Sequence, residues 1–161
     1  MDTDWLSLHS FVLLCHLLGA LLFVAGFVAA GLLFEQARRS ERPGEIAVLL
    51  RATRFAVALV ALGALMVLVC GLWLVHLDRY DLGTQWIATA LGLYVVAMLL
   101  GGLGGRRPKE ARLLAAELAA SGEPVNAELR ALLDDPLSRA VNYVSALLVF
   151  AILVLMVYKP S

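Results

Sequence analysis

Three histidines and two cysteines are the side chains with most chemistry to offer in this sequence, and their spacing sets what that chemistry could be. His16 lies in a run from Leu6 to Phe34 that is otherwise apolar or small, apart from Ser7, His9 and Ser10. Read as a helix, the run places His16 roughly 15 Å beyond Leu6, halfway across a hydrocarbon core of about 30 Å. An imidazole at that depth is costly, so it serves a functional site or a hydrogen bond to a neighbouring helix. His9 and His16 are seven apart and share a helix face about two turns, or roughly 10.5 Å, from each other, too far to bind one metal ion together. A haem iron would take one of them and a partner from a facing helix, as bundle cores commonly build cofactor sites. At the depth of His16 the sequence offers Cys70 or Val67, Tyr94 and Leu148 on the other apolar runs, and no second histidine. A haem b with one protein ligand, a porphyrin held without bis-histidine ligation, and no cofactor at all are the options left open.

His9 and His76 fall near the same end of their helices, with Asp2, Asp4, Asp78 and Asp81 in reach. Together they offer imidazole and carboxylate ligands for copper or another divalent transition metal; the plain alternative is a set of interfacial histidines beside acids. His16, His9 and His76 are therefore the candidate metal ligands. Met66 and Cys70, four apart, could pass a soft ion inward or simply pack. Arg54, Arg139 and Asn142 sit where apolar runs meet charged segments. They suit a porphyrin propionate or a lipid headgroup, while snorkelling explains the arginines and a bond across helices explains Asn142 and Ser145. No Ser-His-Asp order, phosphate-cradling glycine loop or dinucleotide fingerprint is present.

These residues must be positioned by helices in a membrane. The chain of 161 residues is 61% apolar and only 16% charged, with a mean hydropathy of +0.86, against about 25% charged residues in an average soluble domain. Four apolar runs, about 6–34, 55–77, 86–103 and 140–158, predict one all-α domain, a four-helix transmembrane bundle in contact with lipid. Thirteen basic and thirteen acidic residues balance, leaving no basic surplus to displace counterions from a nucleic acid. Cys15 and Cys70 fall inside apolar runs and form no CxxC or CxxCH pattern, so neither a disulfide framework nor covalent haem attachment is indicated. Acidic Asp2 and Asp4 ahead of a long apolar run argue against a cleaved signal peptide.

Segment 35–54, with its arginines and the Pro43-Gly44 turn signal, reads as a water-exposed connection, whereas 77–85 is a short turn. From Arg106 to Ser138 the chain is polar again. Pro108 and the 109–120 stretch, with Leu114 and Leu118 four apart, predict an amphipathic helix lying on the membrane face. A break at Gly122 to Pro124 and a second short helix ending near Asp134-Asp135-Pro136 follow. Gly101 and Gly105 show small-xxx-small spacing at a span end. Eleven of the thirteen basic residues fall on the two long connections and their flanks, and only Arg79 and Lys159 on the other side. By the positive-inside rule those connections are cytoplasmic and both termini lie outside, which also gathers Trp5, Tyr80, Trp86 and Tyr158 at the outer interface.

The run from His16 to Gly26 resembles the first helix of three related groups. These are the HemJ-type protoporphyrinogen oxidases, the CopD-type copper-resistance proteins, and an uncharacterised family of bacterial predicted integral membrane proteins. Arg139-Ala-Val-Asn142, Ala151-Ile152 and Val157-Tyr158-Lys159-Pro160 resemble the last helix of the first and third groups, and Gly71 and Trp86 fit as well. The resemblance implies a bacterial inner-membrane, multi-pass location and, for the HemJ type, haem b ligated by the histidine at position 16. That type carries a lysine and a histidine in its third span, but here Trp86 is followed by Ile87, Ala88 and Thr89, and 86–103 holds no histidine. The long 106–138 connection looks more like the third family. Expected functions are therefore a non-catalytic or redox-associated bundle holding haem at His16, a HemJ-like oxidase, or copper handling at the outer face. The expected partners are lipid and another membrane subunit or a second copy of the chain.

Overall fold

The structure, a computed structural model, describes residues 3–104 and 106–158, with backbone only at 3–6, 103, 104 and 106. Asp2, Gly105, Lys159 and Pro160, and the side chains of Asp4, Trp5 and Arg106, therefore lie outside the described residues. The described chain is helical: α1 (Thr3–Arg39), α2 (Pro43–Leu77), α3 (Gln85–Gly104), α4 (Arg106–Ser121), α5 (Ala127–Leu133) and α6 (Pro136–Tyr158). Four helical segments are long and apolar enough to cross a membrane, and fewer than a fifth of the residues in their apolar stretches are buried within the protein. The side chains left over, Phe11, Leu21, Phe55, Leu99 and Phe150 among them, point outward, as a lipid-facing surface requires.

α1 packs along α2, α3 packs on α6, and α4 returns to α2. Tyr94 of α3 donates to the Ala64 carbonyl of α2 at 3.1 Å, tying the two pairs together. The α1/α2 contact is unusually close because glycines line it. A Cβ added at Gly63 would lie 2.6 Å from the Gly19 carbonyl oxygen, and one at Gly26 would lie 2.9 Å from the Ala56 carbonyl oxygen. Small residues let membrane helices approach backbone to backbone, where dispersion supplies the attraction that water supplies elsewhere.

The expected 35–54 connection is mostly helix. α1 runs on to Arg39 and α2 starts at Pro43, so only residues 40–42 turn the chain. Each helix is some 50 Å long, well over the ~30 Å hydrocarbon thickness. Three local devices hold the extensions. Glu35 pairs with Arg38 and Arg39 at helical spacing, Pro43 occupies the first turn of α2, where a missing N–H costs nothing, and the Ser40 hydroxyl donates to Glu45 at 2.7 Å.

α4 and α5 cap these extensions. Ala111, Ala115 and Leu118 of α4 and Leu129 and Leu133 of α5 bury against Phe34, Ala37, Ile46 and Leu50. The apolar face of α4 is thus taken up by protein, where the sequence suggests it would lie on the membrane. Arg130 of α5 donates to the Arg38 and Ser40 carbonyls at 2.6 and 2.7 Å, satisfying oxygens that the end of α1 leaves free. Arg38 in turn grips Asp134 through Nε and Nη2. Gly122 ends α4 at φ +72°, and Glu123 N–H reaches the Leu118 carbonyl. Asn126 caps α5 by accepting from Leu129 N–H at 2.8 Å. Asp135 caps α6 by accepting from the amide and hydroxyl of Ser138, both at 2.8 Å.

At the opposite end α2 closes in the same way as α4. Arg79 adopts φ +56°, Tyr80 N–H reaches the Val75 carbonyl, and Arg79 N–H reaches that of His76. Tyr80 then packs edge-on against Trp86, ring centres 5.7 Å apart.

Candidate functional site at His16

Antiparallel helices fix which residues meet, and here the register is set by the glycine contacts. Gly19 faces Met66 and Val67, Gly63 faces Phe23, and Gly26 faces Leu59 and Val60. His16, one turn before Gly19, therefore arrives at Val67 and Gly71. Its Nδ1 lies 3.1 Å from the Val67 carbonyl oxygen. A carbonyl only accepts, so Nδ1 carries the proton and Nε2 keeps its lone pair. The absence of a side chain at Gly71 makes room for the ring, since a Cβ there would stand 3.0 Å from Cε1 and 3.3 Å from Nδ1. The Cε1–Nδ1 edge thus faces α2.

That arrangement has a definite chemical consequence. An imidazole whose Nδ1–H is held by a backbone carbonyl is fixed in rotation and tautomer, and its Nε2 becomes a more basic ligand, the arrangement commonly found behind metal-bound histidines. His16 is only partly buried.

The other expected site residues lie elsewhere. Arg54 is exposed on α2, thirteen residues before Val67, or about 20 Å along the helix. A porphyrin ligated by His16 would not bring a propionate to it. Arg139 and Asn142 are exposed on the first turns of α6, at the basic end with Arg54. His9 pairs with Asp78, Nε2 to Oδ1 3.0 Å, while His76 is exposed. Among the described residues no three His, Cys, Asp or Glu side chains are grouped so as to hold a metal ion. Tyr94 sits opposite Ala64, about one turn from the level of His16. An open groove of about 690 Å³ lies between α4, α5 and the start of α6, bordered by Glu110, Leu113, Glu117, Leu132 and Asp135; it is at the basic end and contains none of the expected ligands.

A family model described as "Predicted integral membrane protein (DUF2269)" matches residues 10–160, taking in every described helix from the second turn of α1 onward. The chain belongs to that family. No curated protein and no solved structure matches it. Within this family member the residues that shape the site and carry no ionisable group are Gly19, Gly26, Gly63 and Gly71. A sequence signal for two of them exists: Gly19 and Gly26 are seven apart, on one face of α1. Arg130 also has a role that a count of basic loop residues does not reveal, because it holds the α1–α2 turn through the carbonyls it binds.

Proposed function

We propose that the protein is a non-catalytic, redox-associated membrane bundle that binds haem b through His16 Nε2. Its basic end would face the cytoplasm of a bacterium across the inner membrane. The observation that supports this reading is the Nδ1 contact with the Val67 carbonyl, which leaves Nε2 as the ligand atom at mid-span depth. The donor fits the group: one neutral imidazole, oriented by the Val67 carbonyl and given room by Gly71. Arg54 does not fit as a propionate partner at that depth, so His16 alone would hold the group. Bound there, haem would supply one-electron transfer in the low-dielectric interior. The chain's own part is to hold the imidazole in one tautomer, to keep the ring from turning through the α1/α2 contact, and to surround it with apolar side chains.

The test is an absorption spectrum of the full-length protein purified after expression with haem supplied. A Soret band is expected, and His16→Ala removes it while helical content by circular dichroism is unchanged. Absence of the band in the parent protein, or an identical band in the variant, overturns the assignment.

A further inference from the structure

Cys15 and Cys70 have no part in the reading above. Both are free thiols and both are partly buried. They adjoin the best-fixed contacts between α1 and α2: Cys15 precedes His16, and Cys70 lies between Val67 and Gly71, the two residues that His16 meets. The register that pairs Gly19 with Met66 and Val67, and Phe23 with Gly63, therefore sets Cys15 opposite Cys70. Each cysteine lies one turn from a residue of the Gly19–Met66 contact, Cys15 before Gly19 and Cys70 after Met66, so both are on the faces that meet. Backbones this close bring facing residues toward the Cα separation of roughly 4.4–6.8 Å that a disulfide requires. The pair lies within the apolar spans, which charged, water-borne oxidants do not enter and a lipid-soluble two-electron acceptor does.

We propose that Cys15 and Cys70 are a redox-active dithiol inside the membrane, which reduces a lipid-soluble quinone and closes to a disulfide joining α1 to α2. Two S–H bonds break and one S–S bond forms. The two electrons and two protons released pass to the two carbonyl oxygens of the quinone, which leaves as a quinol. No large helix movement accompanies closure, because the register already sets the two residues opposite each other.

The experiment uses the full-length protein in lipid nanodiscs and a fully ring-substituted benzoquinone, which has no free ring carbon for a thiol to add to. One quinol per protein chain is expected, with loss of both alkylatable thiols and a mass lower by two hydrogens. A non-reduced digest should link the Cys15 peptide to the Cys70 peptide. Cys15→Ala and Cys70→Ala each abolish quinol formation with helical content preserved. Failure of diamide, a small thiol oxidant, to cross-link the parent protein overturns the pairing. Cross-linking by diamide with no quinol from the quinone overturns the redox role. Neither outcome depends on whether His16 binds haem.

Discussion

Replacing Gly63 by alanine tests whether backbone contact between α1 and α2 governs both the stability of the hairpin and the setting of His16. The new methyl carbon would meet Phe23 N, and it would stand 2.6 Å from the Gly19 carbonyl oxygen and 2.8 Å from Phe23 Cα. All three are backbone atoms of the facing helix, so no side chain can swing aside. Ordinary contact begins near 3.4 Å, and α1 must retreat by at least about 0.8 Å, enough to forfeit a quarter to a half of the dispersion attraction across the gap. Overpacking of this kind costs about 1–3 kcal/mol, and backbone against backbone belongs at the upper end. Alanine offsets up to about 1 kcal/mol through its better helix propensity, which leaves a net loss of about 2 kcal/mol. The same retreat, carried one turn along, stretches the 3.1 Å His16–Val67 contact past hydrogen-bonding distance. Unfolding by dodecyl sulfate in mixed micelles, followed by circular dichroism, measures the first effect. The ¹⁵N shifts of the imidazole measure the second, through loss of a single fixed tautomer. Gly31→Ala is the control, since a Cβ there meets nothing within 4 Å, and it should be neutral or slightly stabilising. If Gly63→Ala proves as stable as Gly31→Ala, the close contact is not what holds these helices.

Arg79→Gly should stabilise the end of α2 by about 1 kcal/mol, because Arg79 sits at φ +56°, where a Cβ costs roughly 1–2 kcal/mol and glycine meets no such penalty; the same unfolding titration reads it. Leu129→Ala removes a fully buried side chain from the α4/α5 cap and should cost about 2–5 kcal/mol, seen as faster amide exchange in α5 and the end of α1. Asp135 is held below the usual carboxylate range, first by the Ser138 hydroxyl and then by its amide. Because the folded value is depressed, its contribution is complete above the unfolded value near 3.9 and is lost as pH falls through the lower folded value. Exchange protection in the first turn of α6, corrected for intrinsic rates, should therefore hold from pH 7 to about 4 and fall below it, and Asp135→Asn should remove that dependence.

The four spans are legible because a membrane helix is specified by composition over some twenty residues, and no partner need be known. The 35–54 segment is not legible in the same way. Its arginines and Pro43-Gly44 look like a loop, but what makes it helix is an ion-pair set on one face, a proline in a first-turn position, and Arg130 arriving from some ninety residues away. His16 announces its depth through hydropathy alone. Its partner does not, since the acceptor is the Val67 backbone carbonyl, a group every residue shares. Arg54 looks near because both it and His16 lie close to the membrane in sequence terms; the continuous α2 helix puts thirteen residues between Arg54 and the level of His16.

The division of the apolar residues explains why the chain carries α4 and α5 at all. In the spans, lipid covers Leu, Val and Phe side chains as well as protein would, so little free energy is gained by burying them and association relies on glycine-lined contact. Beyond the membrane, α1 and α2 continue for several turns with Phe34, Ile46 and Leu50, which in water must be covered. The α4/α5 segment supplies that cover, and the fully buried side chains Ile46, Leu129 and Leu133 lie there instead of among the spans. A water-driven core at one end thus helps to fix the separation and register of two helices whose membrane portions meet through glycine-lined contact. Register is what aligns Gly63 with Phe23 and brings Val67 and Gly71 to His16. It follows that damage to the cap, far from the imidazole, should loosen the imidazole as well: in Leu129→Ala the His16 tautomer should begin to average, in a position more than 30 Å away along α2 from Ile46.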